Sequence, residues 1–478
     1  MSKTLPFKFS SNLGWGPAQF RILWAFLVVA FLLGGSARGD VQSLIVLRPL
    51  SVFVCGLGLW TLSMRHLRQY RAMFGLAAAF FVVIGIQLIP LPPSIWTTLP
   101  GRELIKSLDQ AAGLGDVWRP ISLFPSGTEN ALYSLFTPLA VLILGAQLER
   151  EQQQRLLPLM IGLGIISLLL GLLQIAGSSD SNLYLYDVSN KGSPIGVFSN
   201  RNHAAVFLAC LLPMLAVYAS TNIQTAHQAR FRLGLGLITA VVVIPLILVA
   251  GSRAGMIVAI VGLAAIPLLF RKPAVLKERK VKKRKFNPIA VLGIVGVCGL
   301  TLLFALFSRA ESLGRLLAYD GSEDLRSRIW GPIADISWKY FPAGSGFGSF
   351  ADVFQLHEPS QLLKPTYVNH AHNDLLEMYM TGGILGVALL GAIAIMWAIA
   401  SYRAWRHRQD NVRGLSMARM GSVIFIMLGI ASVADYPLRV PSMMCFIVVV
   451  ALWLKSSTAP KATATEVANG VAIPPRVS

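Results

Sequence analysis

The groups in this chain best suited to chemistry sit where polar sequence turns apolar. The stretch His370-Ala371-His372-Asn373-Asp374-Leu375-Leu376-Glu377 leads into a run containing Tyr379, Gly383 and Gly386. An imidazole titrates near about 6.5, so His372 can accept or release a proton at working pH. Gly383 lies eleven residues past His372, or three turns at about 3.6 residues each. A helix starting near His372 would put Leu376, Tyr379, Gly383 and Gly386 on one face. Bare glycines there would admit a second helix or a lipid chain. His370 and His372 also form an HxH pair, but a zinc site needs a third ligand. His357, Glu358 and Asp374 offer no specific spacing, so no metal is expected. Asn373 and Asp374 have a structural reading as helix-start residues, with Glu377 completing a capping box on Asp374. Asn373 and Tyr379 are also candidate substrate contacts.

Four arginines are candidate anion ligands. Arg253 occupies Gly251-Ser252-Arg253-Ala254-Gly255, a turn between two apolar runs. An arginine at the bilayer centre costs about 2.5–3.5 kcal/mol and less near the interface. It is therefore either a snorkelling residue or a fixed cation facing an anionic group. Arg326 and Arg328 lie in Leu325-Arg326-Ser327-Arg328-Ile329-Trp330. On a helix one would face solvent and the other the membrane, Arg326 being the expected inward one. Arg48, in Leu47-Arg48-Pro49, reads equally well as an interface anchor. Guanidinium forks match phosphate oxygens in a bidentate way, so together these residues could clamp a phosphate or diphosphate. In Gly196-Val197-Phe198-Ser199-Asn200-Arg201-Asn202-His203, Asn200 and Asn202 could bond sugar hydroxyls or cap the next helix.

These side chains need a frame, and composition supplies it. The chain has 478 residues, 54% hydrophobic and 13% charged, about half the usual charge content of soluble domains. Apolar runs near the length of a bilayer-crossing helix recur along it. The fold expected is an all-α polytopic membrane protein with about twelve spans. They fall at 21–35, 43–63, 73–91, 130–147, 156–176, 203–220, 233–250, 255–270, 288–308, 375–400, 418–435 and 441–454. The first is short, and a cleaved leader ending near Ala37 is the lesser reading for it.

Net charge is +20. With residues 1–20 and the tail 455–478 in the cytoplasm, most lysines and arginines fall on the cytoplasmic side. The densest cluster, Lys277 to Lys285, reads as a topology anchor near anionic headgroups. It lacks the interleaved aromatics of a nucleic-acid site. The four cysteines all fall in apolar runs without metal spacing, so no disulfide is expected. No Asp or Glu falls deep in a span, which argues against a coupled transporter, the reading of another class. The outward loops are 92–129, 177–202 and 309–374. Trp96 and Trp118 of the first are expected at headgroup level. The third is too long to be a connector and should have structure of its own. It includes Gly344-Ser345-Gly346-Phe347-Gly348. The tail is expected to be disordered.

In this order the motifs resemble the O-antigen ligase family. The family signature is His, then Asn, Ser or Gln, nine residues, Gly, two residues, then Gly, Thr or Tyr. His372-Asn373, Gly383 and Gly386 match it completely. The Phe198–Asn202 stretch, the Arg253 turn and the segment from Arg326 to Gly348 are similar to the same family. The likeness covers residues 190–400 well and the rest by topology. It implies a GT-C-like, inverting, metal-independent glycosyltransferase without a cofactor, in a bacterial inner membrane with its site on the periplasmic side. The donor would be a glycan on undecaprenyl diphosphate. The acceptor would be lipid A–core or, for a polymerase, another lipid-linked glycan. The resemblance makes His372 the general base and Arg253 with Arg326 or Arg328 the diphosphate ligands.

Overall fold

In the computed structural model, residues 18–276, 321–363, 367–406 and 413–455 are described. The expected span 288–308, the cluster 277–285, Cys298 and the tail lie outside them. The principal helices are α1 (Ala18–Leu33), α2 (Leu44–Thr61), α3 (Arg71–Ile86), α4 (Pro125–Ala146), α5 (Arg150–Ala176), α6 (Arg201–Tyr218), α7 (Ala226–Ala250) and α8 (Arg253–Leu269). After the gap come α9 (Gly321–Tyr340), α10 (Phe350–His357), α11 (Asp374–Arg406), α12 (Arg413–Ala434) and α13 (Pro441–Lys455). No strand occurs among the described residues. The molecule is an all-α polytopic membrane protein. Among the described residues seven helices are long and apolar enough to cross a membrane, and α1, α3, α8 and α13 are apolar but shorter.

Helix α6 is the axis of the bundle, 89% buried over its apolar window. Its start is fixed by Asn200, whose side chain accepts the backbone N–H of Asn202 at 2.8 Å. Helix α8 starts in the same way, with Ser252 accepting from Gly255 N at 3.0 Å. Gly251 supplies the left-handed residue (φ 62°) that turns α7 into α8. Helices α6 and α8 run parallel in close contact. A methyl on Gly255 would lie 2.5 Å from Ala205 Cβ, and one on Gly262 would lie 3.3 Å from the Ala209 carbonyl. Small residues let two backbones pack where no hydrophobic effect drives helices together.

Hydrogen bonds between helix ends fix the register. At one end Ser199 N donates to Gly35 O and Ser442 N to Gly34 O, and Gln174 holds the turn at Gly196. The starts of α2, α4, α6, α8, α11 and α13 lie at this end. At the other end Tyr70 meets Gln153, Trp453 meets Gln153 and Arg419 meets Ala404. Cys55, Cys210 and Cys445 are free thiols buried in helices.

Two excursions cover the first end. The segment 87–124 contains two short helices, Pro93–Trp96 and Glu103–Ala111. Its Trp96 is buried and donates to Val117 O at 2.9 Å. The indole is thus core to its own loop and not a headgroup anchor as expected, whereas Trp118 is exposed. The second excursion, α9 and α10, has a core of Ile329, Ile333, Tyr340, Phe350 and Phe354. Arg102 ties the two together. Fully buried, it donates to Ile121 O at 2.5 Å and to Gly344 O at 3.2 Å.

The turn at Gly344 is wedged into a break in α11. Gly383 has φ 56° and ψ −142°, outside helical space. The break leaves backbone groups without helical partners, and an unpaired buried peptide group is costly. The turn pairs them: Ser345 N donates to Met380 O, Gly346 N to Thr381 O and Ile384 N to Pro342 O, all within 3.0 Å. Gln87 closes the arrangement, donating to Thr381 O at 3.0 Å and accepting from Phe347 N at 2.9 Å.

Candidate active site

The helix begins at Asp374, two residues later than His372. His372 itself sits in the left-handed region (φ 49°), where a non-glycine residue is strained by about 1–3 kcal/mol. This conformation directs it at the end of α12. Its Nδ1 lies 3.0 Å from Asp435 Oδ1. Asp435 is fully buried. Its Oδ1 also accepts the backbone N–H of Tyr436 at 3.0 Å, and its Oδ2 accepts from Asn202 Nδ2 at 2.6 Å. Where Asp435 is ionised it can only accept, and an imidazole paired with it would hold its proton on Nδ1 and keep the Nε2 lone pair for a ligand. His372 keeps 18% of its side chain exposed. A hydroxyl reaching Nε2 would meet a base aligned and polarised by a buried anion.

His370 repeats the arrangement. Its Nδ1 is 3.0 Å from Glu377 Oε1, and Ala371 N donates to Glu377 Oε2 at 3.0 Å. Arg439 reaches Glu377 Oε1 at 3.0 Å through Nη1 and Asp374 Oδ1 at 3.2 Å through Nε. Ser432 donates to the other Asp374 oxygen at 2.9 Å. The Tyr436 ring lies among three imidazoles, with centroids 4.3 Å from His370, 4.9 Å from His372 and 4.9 Å from His203. Among the described residues no cluster of His, Cys, Asp or Glu could hold a metal ion.

Several sequence expectations change. Asn373, not Asp374, caps α11: its side chain accepts from Leu375 N and Leu376 N, both at 3.1 Å. Asp374 and Glu377 form no capping box with each other; both are buried in the arginine network. Asn200 is a helix cap, whereas Asn202 reaches the site through Asp435. Tyr379 packs on Phe341, 5.7 Å between ring centroids, beside the Trp338–Phe341 stack. Gly383 and Gly386 share no continuous face with His372, because α11 starts after it and breaks at Gly383. A methyl on Gly383 would strike Pro342 O at 2.1 Å, and one on Gly386 Met378 O at 2.4 Å. The close approach they permit is to a loop backbone and to the preceding turn, in place of a second helix or a lipid.

Of the arginines, Arg253 is the exposed first residue of α8. The parallel packing of α6 and α8 puts it at the same end as Asn202 and His372. Arg48 lies on α2 at that end, bonded to Asn130 of α4. Arg328 is exposed on α9, and Arg326 lies on the same helix, its side chain outside the described set. The guanidinium in the histidine network belongs to Arg439. Sequence reading passed over Asp435, Tyr436 and Arg439. One signal was available: an acid and two prolines interrupt an apolar run at Ala434-Asp435-Tyr436-Pro437 and Pro441.

Residues 236–391, about a third of the chain, match the family model described as O-antigen ligase. That region belongs to the O-antigen ligase family. It runs from α7 to the middle of α11 and includes Arg253, Arg326, Arg328 and His372. Asp435 and Arg439 lie beyond it. No curated protein matches the chain.

Proposed function

We propose that this chain transfers a glycan from undecaprenyl diphosphate to a sugar hydroxyl on the periplasmic side of a bacterial inner membrane, as a ligase loading O-antigen onto lipid A–core. The observation that carries this reading is the Asp435–His372 pair, with a buried carboxylate on Nδ1 and Nε2 left open. The donor's anomeric carbon is already activated. The protein must hold it, stabilise the departing diphosphate and activate one hydroxyl. His372 Nε2 takes the acceptor proton as the new C–O bond forms, a contribution typically of about 10²–10⁴-fold. Attack opposite the diphosphate inverts the anomeric centre. Arg253, with Arg326 or Arg328, and Arg48 are the proposed cations for the diphosphate, where fixed positive charge meets charge as it develops.

Charge distribution supports the sidedness. Arg65, Arg68, Arg71, Arg150, Arg155, Arg403, Arg406 and Lys455 lie at the end away from His372. Among the described residues the acids at that end are Glu149 and Glu151. Cationic ends face the cytoplasm, which turns His372 outward and leaves both termini inside.

The test is glycan transfer by purified protein in detergent, given a lipid-linked glycan and lipid A–core and no ion gradient. Wild type should form product, and H372A, folded as judged by its melting profile, should lose it. Full activity in H372A would remove the catalytic assignment. A deletion strain separates ligase from polymerase. Polymer stranded on its carrier above naked core is the expected result; core bearing a single repeat unit would reassign the chain as a polymerase.

A further inference from the structure

The general base uses one of two imidazole–carboxylate pairs, and the second is left without a role. His370 is held through Nδ1 by Glu377 as His372 is by Asp435. Its side chain is 16% exposed, close to the 18% of His372. Both rings rest against Tyr436, at 4.3 and 4.9 Å. Two proton-handling groups thus open side by side, each with Nε2 available.

Their surroundings differ in charge. His372 faces Asp435, which is shared with the neutral amide of Asn202 and lies 3.9 Å from the buried His203 Nε2. The groups facing His370 are Glu377, Asp374, Arg439 and Tyr436, with His372, His203 and Asp435 across that ring. Arg439 gives Nε to Asp374 and Nη1 to Glu377. Among the described residues its Nη2 has no partner, and 19% of the side chain is exposed. Two carboxylates facing one guanidinium leave one negative charge. An imidazolium at His370 would balance it, and buried charge of one sign is costly when unbalanced.

We propose that His370 and Arg439 form the leaving-group side of this site, His370 donating from Nε2 to the departing phosphate oxygen while His372 receives the acceptor proton. This rests on the transferase reading above and deepens it. The acceptor oxygen bonds to the anomeric carbon, and its proton passes to His372 Nε2. The bond from that carbon to the phosphate oxygen breaks, and its electron pair stays on the oxygen. His370 N–H donates a hydrogen bond to that oxygen, with Arg439 Nη2 beside it. A base that must be neutral and a donor that must be protonated give a bell-shaped rate profile.

The experiment is the pH dependence of glycan transfer by the purified full chain, measured as kcat and as KM for the undecaprenyl diphosphate-linked donor. Wild type should show both limbs of the bell. H370Q should lose the alkaline limb, keep the acid limb, and lower kcat about 100-fold with donor KM changed less than about threefold. Inorganic pyrophosphate is the probe for Arg439: its inhibition constant should rise at least about tenfold in R439Q. A wild-type profile without an alkaline limb would overturn the proposal, whether or not H370Q folds. So would an H370Q enzyme with the wild-type profile, or unchanged pyrophosphate inhibition in R439Q. A wild-type protein that transfers no glycan, or an H372A protein that still does, would instead remove the underlying transferase reading.

Discussion

At the scale of single residues, the decisive contact is a histidine in strained backbone meeting an acid from a distant helix. His372 and Asp435 are 63 residues apart. In the proposed reaction Asp435 would do two things: fix which nitrogen holds the proton, and stabilise the imidazolium formed after proton transfer. D435N keeps the shape and can present its NH₂ to Nδ1, which favours the wrong tautomer. We expect kcat for glycan transfer to fall at least about 100-fold while the melting temperature in detergent moves little. His372 was legible in the sequence because its spacing to Gly383 and Gly386 forms a local pattern. Asp435 and Arg439 were not. Their partners come from another helix, and nothing within a few residues of Asp435 distinguishes a buried acid from one at a helix end. Asn373 is ambiguous in the sequence for the opposite reason. An asparagine before an apolar helix looks the same whether it caps or binds, and here Leu375 and Leu376 claim its oxygen.

At the scale of elements, the broken helix and the turn lodged in it form one unit. Gly383 combines positive φ with direct backbone contact. Alanine there adds about 1–3 kcal/mol of backbone strain and a clash with Pro342 O. We expect G383A to lower the melting temperature clearly and to reduce transfer, because the segment 374–382 carries Asp374 and Glu377. Alanine at Gly391, where nothing lies within 4 Å of an added methyl, is the control and should be near neutral. The lid of α9 and α10 has its own acid-sensitive contact. Tyr340 Oη and His357 Nε2 are 2.7 Å apart. Burial, and then the nearby Lys339, hold His357 below the usual histidine range. Its neutral form is therefore favoured in the fold, and the unfolded chain binds the proton more readily. Stability should be flat above the ordinary histidine range and fall as pH drops through it toward the folded value. H357Q should flatten that fall in thermal melts between pH 7 and 5. The helices were legible because long apolar runs mark them one by one. The break was not, since a glycine inside an apolar run is equally compatible with an unbroken helix.

At the scale of the whole molecule, the two ends of the bundle differ in chemistry. One holds buried acids, histidines and the two covering excursions; the other holds arginines with few acids. If cationic ends face the cytoplasm, a cysteine at Lys191 should react in intact spheroplasts with a membrane-impermeant thiol reagent. A cysteine at His66 should react only after lysis. The native Cys55, Cys210 and Cys445 are buried and should contribute little background. This polarity was readable from the sequence, because charge in the loops needs no tertiary contact to be counted. Helix α11 joins the two ends in an unusual way. Beyond Gly383 it is the least buried of the long helices, with 17% of its apolar window inside the protein and Ile384, Val387, Ile395 and Ile399 exposed. Its first nine residues, in contrast, are pinned by the turn at Gly344. A bilayer thicker or thinner than the hydrophobic length tilts a lipid-facing helix. The discontinuity at Gly383 places such tilting downstream of the reactive groups, so acyl-chain length can change the slant of this rod while the distance from His372 to Asp435 stays as it is.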